Sequence, residues 1–243
     1  MKRTALVGIA VLALIAVGAC GRAGAGSSND AFGAKVRAYL LAHPEVIQEA
    51  VQKLQVKADA DEAAQEQKAV ADLPLLRAAV ERDPRDFVAN PGGKITVTEF
   101  YDYRCPHCAN AAPKVLALIG ANHDVRFVFK EMPIFGPTSQ HAARAALAVK
   151  KAGGDYLGLY QALMATHPLD DAAIDRIALA KGARAADLGA NPAAERQLSD
   201  TTELFTKLAL GGTPAFIVGD QIVYGEDMDA VAAAIVKARG RGT

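Results

Sequence analysis

The stretch KITVTEFYDYRCPHC, residues 94–108, decides how the rest of the chain is read. Ile95, Val97, Thr98, Phe100 and Tyr101 form a near-continuous β-prone run, as expected of a strand buried on both faces. Directly beyond it two cysteines stand three positions apart, with Pro106 and His107 between them. Ala109 to Gly120 then reads as a helix containing Pro113, and VRFVFKEMP as a second strand, so strand, helix and strand follow one another as a βαβ unit.

Four chemistries use closely spaced cysteines. A c-type haem site needs His directly after the second cysteine, where this chain has Ala109. An iron–sulfur cluster takes about four thiolates, and only Cys105 and Cys108 are at hand. A structural zinc would need two more ligands drawn from the scattered His107, His123, His141 and His167. What remains is an inert structural disulfide or a redox-active dithiol, and position favours the second. Cys105 falls where strand meets helix, and the unpaired N–H groups and positive dipole end of the helix favour its thiolate. That makes Cys105 the attacking sulfur. Cys108, one turn further along, is the resolving cysteine that closes a ring with it. Pro106 suits the first helical turn, and His107 is expected to stabilise the thiolate further.

Three other elements fit this chemistry. Glu99 lies in the strand leading to Cys105, where a buried carboxylate of raised pKa can shuttle a proton to or from Cys108. Lys130, in the second strand, is expected as the buried counter-ion of Glu99. Thr213-Pro214, after Gly-Gly and before Ala-Phe-Ile-Val, suits a cis peptide at a strand start. That would leave the Thr213 backbone free to pair with an extended substrate.

The flanks give the context. MKRTALVGIAVLALIAVGAC has two cations and then an apolar run from Ala5 to Ala19, short for a bilayer span and suited to a secretion signal over residues 1–19. The run ends on Val17-Gly18-Ala19-Cys20, which resembles the bacterial lipobox, so Cys20 is expected to carry lipid and to anchor the chain to a membrane. The alternative is a chance cysteine beside an ordinary cleavage site. Residues 20–29 read as a flexible tether. Export places the remaining two cysteines in an oxidising envelope, the periplasm, where a CxxC is poised to cycle. Lys+Arg 27 against Asp+Glu 27 in 243 residues gives no sign of a nucleic-acid partner.

Residues 30–85 favour helix. Phe32, Val36, Tyr39 and Leu40 form one apolar stripe, His43-Pro44 breaks it, and Ile47, Val51 and Leu54 resume it. Beyond Lys57 the stripe thins to alanines, as in an exposed spacer helix or an arm folded back on the main domain. Too little core is present for this extension to stand alone, so residues 30–82 are expected to associate with further copies. RDPRDFVANPGG, residues 82–93, is dense in turn formers and marks a domain boundary. Residues 138–210 read as a helical insertion, 211–225 as two short strands joined at Gly219-Asp220, and DMDAVAAAIVKAR as a closing helix.

Strand, CPHC, helix, helical insertion and GTPAF in this order resemble the DsbA-like thiol:disulfide oxidoreductases of the thioredoxin superfamily, over residues 94–239. The resemblance implies an α/β thioredoxin fold with inserted helices, Cys105 as nucleophile, Cys108 as resolver, cis Pro214 facing them, and Glu99 with Lys130 as the buried acid and its partner. YLLAHPEVIQEAVQKLQ is also similar to the N-terminal extension of the suppressor-of-copper-sensitivity branch, whose members can oligomerise and act as isomerases. The implied partners are reduced or misoxidised exported proteins and a redox partner that recycles the disulfide; no cofactor is implied. Thr213, where the best-known oxidases carry Val, departs from that pattern. A reading from another class is an envelope protein that binds metal, copper above all, through Cys105, Cys108 and His107.

Overall fold

The computed structural model describes residues 26–241. The first unit, up to Ala60, comprises α1 (Gly26–Ala42) and the first part of α2 (Glu45–Glu81). Helix α1 starts at Gly26, inside the stretch read as a tether. The break between the helices falls at His43-Pro44, as the sequence predicts. Phe32, Tyr39, Leu41, Ile47, Val51, Leu54 and Val56 are all more than half exposed, so the apolar stripe of this unit is uncovered. Cys20 and the signal segment lie outside the described residues.

The second unit, Asp61 onwards, is built on one sheet of five strands in the order β1-β3-β2-β4-β5. The strands are β1 (Phe87–Ala89), β2 (Ile95–Tyr101), β3 (Val125–Glu131), β4 (Ala215–Val218) and β5 (Gln221–Tyr224). Strands β2 and β3 run parallel, joined through α3 (Pro106–Ala121), and every other pairing is antiparallel. Residues 137–207 carry α4 (Pro137–Ala152), α5 (Tyr156–Met164), α6 (Asp171–Ala180) and α7 (Pro192–Lys207), the expected helical insertion, and α8 (Met228–Arg241) closes the chain.

Residue parity separates the two faces of the sheet. Val97, Tyr101, Phe127, Phe129, Phe216 and Val218 point to the side covered by α3, α5 and α8, where the larger core lies. Phe100, Ala215 and Ile217 point to the other side, with Ala69, Leu73 and Val80 of α2 and Leu204 and Phe205 of α7. From Ala69 onward α2 packs against the sheet, the second of the two readings given for the stretch beyond Lys57. The second half of α2 is not an exposed spacer: Ala69, Leu73 and Val80 recur at helical spacing and are at most 1% exposed, a stripe that Pro74 interrupts in sequence but not in the helix. The turn-rich segment 82–93 contains β1, three residues long, which among the described residues pairs with the distant β3.

The end of α2 is fastened to the sheet by polar contacts. The last carbonyls of a helix have no partner of their own, and cations suit its negative end. Here Lys130 Nζ donates to Ala79 O at 2.7 Å, Thr98 Oγ1 to Val80 O at 3.2 Å, and Arg126 to Glu81 O.

Candidate active site

The site forms where β2 runs out and α3 begins. Cys105 is the N-cap of α3 in extended conformation, with Pro106 in the first turn. Its backbone N–H donates to Asp102 O at 3.1 Å. Asp102 is buried and ties the loop together: Oδ1 accepts from Arg104 N at 2.8 Å, and Oδ2 from Ile134 N at 2.7 Å and Phe135 N at 3.0 Å. Arg104 Nη1 donates to Phe135 O at 2.7 Å, and the side chains of Ile134 and Phe135 stand exposed beside it.

The two sulfurs are unlike. The Cys105 thiol is pushed down to about 5, first by its hydrogen bond with Cys108, then by Thr213 and the backbone N–H groups of Cys108 and His107, against the cost of burial. As a thiol, Cys105 Sγ donates to Thr213 O at 3.1 Å. Thr213 Oγ1 is buried without a hydrogen-bond partner, so its proton is available to a thiolate. Cys108 is fully buried, and its thiol is pushed far up by burial and by its hydrogen bond with Cys105. Both cysteines are free thiols. Cys105 itself is only 2% exposed, covered by the loop that carries Thr213. The Thr213-Pro214 peptide is cis. A cavity of about 310 Å³ opens beside it, lined by Gly211, Gly212, Thr213, Pro214, Tyr224 and Gln65 of α2.

Glu99 lies on the α3 side of the sheet, 2% exposed, with Tyr160 OH donating to its two oxygens at 3.1 and 3.2 Å. Burial pushes its carboxyl up to about 8. Lys130 is not its counter-ion. In the parallel register Glu99 faces Phe129, and Lys130 faces Phe100, so Lys130 points to the opposite side of the sheet. There its Nζ lies 2.5 Å from Asp86 Oδ2. The His107 imidazole also departs from expectation: it is two-thirds exposed, with Nδ1 3.5 Å from Glu226, and it is the backbone N–H of His107 that favours the Cys105 thiolate. Among the described residues no three His, Cys, Asp or Glu side chains converge as a metal site.

Sequence reasoning missed the layer beneath the cysteines. Tyr101, Tyr103, Tyr156 and Tyr160 are fully buried, and Glu131 lies among them. The signal was present as YDY after the strand and as Tyr156 and Tyr160 one helical turn apart, but core aromatics and a polar network look alike in sequence.

Comparison with known proteins fits this arrangement. A profile described as DSBA-like thioredoxin domain matches residues 96–236. The chain belongs to that family. Residues 29–60 match the copper resistance protein ScsC N-terminal domain. A thioredoxin-like oxidoreductase from Silicibacter pomeroyi DSS-3 superposes with TM-score 0.63 at 35% identity, covering 68% of this chain and 98% of that one. Proteus mirabilis ScsC in a transitional conformation gives TM-score 0.66 at 28% identity over 88% of this chain and 98% of that one. A periplasmic thioredoxin-like protein from Salmonella enterica serovar Typhimurium gives 0.63 at 26% identity, covering 68% and 95%. Among curated proteins, 83 residues are 36% identical to the Na+/H+ antiporter NhaA 3 of Salinispora tropica; they make up 32% of this chain, which spans only 13% of that relative's length. Among the described residues no helix is long and apolar enough to cross a membrane.

Proposed function

We propose that this DsbA-like protein exchanges disulfides with exported proteins in the bacterial envelope, forming or reshuffling them through Cys105 and Cys108. The observation that carries the reading is the inequality of the two thiols: one held down to about 5 at a helix N-terminus, its neighbour buried and held up. An ionised Cys105 forms or accepts the mixed disulfide, and Cys108 stays protonated until it resolves the intermediate. The Thr213 backbone, the cavity beside Pro214 and exposed Ile134 and Phe135 offer an extended polypeptide hydrogen bonds and apolar contact. The periplasmic location of the Salmonella relative, with the signal-like pattern of residues 1–19, supports an envelope site, and the lipobox-like Cys20 a lipid tether. The metal-binding alternative gains nothing from His107, whose imidazole sits beside Glu226.

Because Cys105 is covered at rest, its reactivity in the folded protein is the test. Alkylation by iodoacetamide is expected to be selective for Cys105, with a rate that falls only as pH drops through about 5. A thiol that reacts only on unfolding, or titrates near the ordinary value of about 8.5, overturns the reading.

Oligomerisation belongs to the same proposal. The uncovered stripe of Phe32, Val36, Tyr39, Ile47, Val51 and Leu54 is apolar surface that a second copy would bury. Light scattering of residues 26–243 is expected to give a mass above one chain, and replacing Tyr39 and Val51 by Glu is expected to return it to one chain. The same double variant is expected to lose reshuffling of a scrambled substrate while keeping oxidation of a reduced one. A single-chain mass for the unaltered protein would leave oxidation alone.

A further inference from the structure

We propose that Glu131 is a positioning residue for disulfide exchange: it shares one negative charge with Glu99 in a sealed chamber under Cys108 and so keeps Glu99 protonated until Cys108 leaves.

The chamber is set by register. Glu131 pairs with Tyr101 across the β2–β3 ladder and Glu99 pairs with Phe129, so the two acids sit on one face, on neighbouring strands, with Tyr101 adjoining both. Glu131 Oε1 accepts from Tyr101 OH and from Tyr156 OH, each at 2.6 Å, and from Tyr103 OH at 3.4 Å. Tyr101 OH also lies 2.7 Å from Tyr156 OH and 3.1 Å from Tyr103 OH. Tyr160, which holds Glu99, packs edge-on against the Tyr101 ring at 5.2 Å. Phe87 of β1 stacks on Tyr156 at 4.0 Å. The other titratable groups facing in are Asp102 from the loop after β2 and Cys105 and Cys108 from α3. Neither acid has a hydrogen bond or ion pair with Lys, Arg or His among the described residues, because Lys130 is turned to the other face.

Two carboxyls in a low-dielectric space without a cation cannot both ionise cheaply. The tyrosines provide Glu131 with three donors and Glu99 with one, so the shared charge settles on Glu131 and repels ionisation of Glu99. Burial is the larger cause and holds both carboxyls up to about 8, so the first charge to appear as pH rises toward that value falls on Glu131.

The step this serves rests on the function proposed above. A substrate thiolate attacks Cys105 Sγ of the oxidised protein. The new substrate–Cys105 S–S bond forms, the Cys105–Cys108 bond breaks, and the electron pair leaves on Cys108 Sγ. The substrate sulfur is oxidised and Cys108 reduced, and the Glu99 proton passes to Cys108 Sγ. Glu99 must hold that proton beforehand, which burial favours first and the Glu131 charge reinforces.

The test compares wild type with Glu131→Gln, whose amide oxygen can still accept from the tyrosines. Reduction of the oxidised protein by dithiothreitol is followed across pH as the ratio of variant to wild type. The decline assigned to Glu99 ionisation is expected to move to lower pH by about one unit. A uniform change in rate with no shift in the profile would make Glu131 merely structural and overturn the proposal. In protein with 13C-labelled glutamate carboxyls, the two buried groups are expected to titrate in linked steps. Glu99→Gln is expected to leave Glu131 titrating in one step at lower pH, which keeps the test open if Glu131→Gln does not fold. Independent one-step titrations in the wild type sink the proposal. Loss of Cys105-dependent exchange altogether sinks the functional reading instead, and leaves the carboxyl titration to judge the pair.

Discussion

Cys105→Ser is expected to bring oxidation of a reduced substrate and reshuffling of a scrambled one down by about 10³-fold or more, to the level of buffer, without unfolding the protein. Cys108→Ser is expected to behave differently. It leaves an attacking sulfur with no partner to resolve it, so covalent complexes with substrate accumulate and are released by added reductant. It also removes the largest contact favouring the Cys105 thiolate, so the Cys105 titration moves up from about 5. Magnitudes show where the low pKa helps. At pH 7 an ordinary cysteine of pKa about 8.5 is roughly 3% thiolate, so full ionisation of Cys105 gains about 30-fold. Intrinsic nucleophilicity falls with pKa at a slope of about 0.4–0.5, which takes back a similar factor over about 3.5 units. Attack is therefore hardly faster. The gain lies in departure, since a stabilised Cys105 thiolate is readily displaced from a mixed disulfide, and that favours donation of disulfides. If Cys105→Ser retains exchange, or if Cys108→Ser captures no substrate, the assignment of nucleophile and resolver fails.

The elements legible in sequence are those fixed by nearby residues. CPHC after a β-prone run places Cys105 at a helix start, Gly-Gly-Thr-Pro places the facing loop, and Gly219-Asp220 places the β4–β5 hairpin, whose Gly219 has φ +59. What escaped depends on distant partners. Strand β1 is three residues among turn formers and exists only because β3 pairs with it. The buried end of α2 has apolar side chains at Ala69, Leu73, Leu76 and Val80, yet nothing local says which surface they meet. Lys130 was misplaced for a sharper reason. Alternation tells which residues of one strand share a face, but only the register between strands tells whether 130 or 131 joins Glu99. One residue of offset exchanges a lysine for a glutamate beneath the cysteines. The cation that sequence reasoning set beside Glu99 thus fastens α2 to the back of the sheet, and a second acid takes its place.

That exchange makes Lys130→Met the sharpest stability test. Lys130 and Asp86 are both nearly fully buried, with Gln197 donating to Asp86 Oδ1 at 3.3 Å and Asp83 close enough to add negative charge. Removing the lysine leaves an unpaired buried carboxylate and withdraws the donor from Ala79 O, a loss of about 3–5 kcal/mol at neutral pH. The sign of the pH dependence follows from Asp86. Burial holds its carboxyl up to about 6 in the folded protein, above the unfolded value of 3.8, even with Lys130 opposing. A raised acid costs stability, and that cost begins to shrink as pH falls through the folded pKa and is gone only below the unfolded value of 3.8. Without Lys130 the folded value rises further, so the deficit of the variant grows as pH climbs above about 6 and shrinks below it, read by urea unfolding at each pH. Adding Asp86→Asn to Lys130→Met removes the orphaned charge and is expected to recover most of the loss. Meanwhile the Cys105 titration and the pH profile of exchange are expected to stay where they are, because the pair lies across the sheet from Glu99. A Lys130→Met protein whose exchange profile shifts while its stability holds would restore the lysine to the active site and refute the register drawn here.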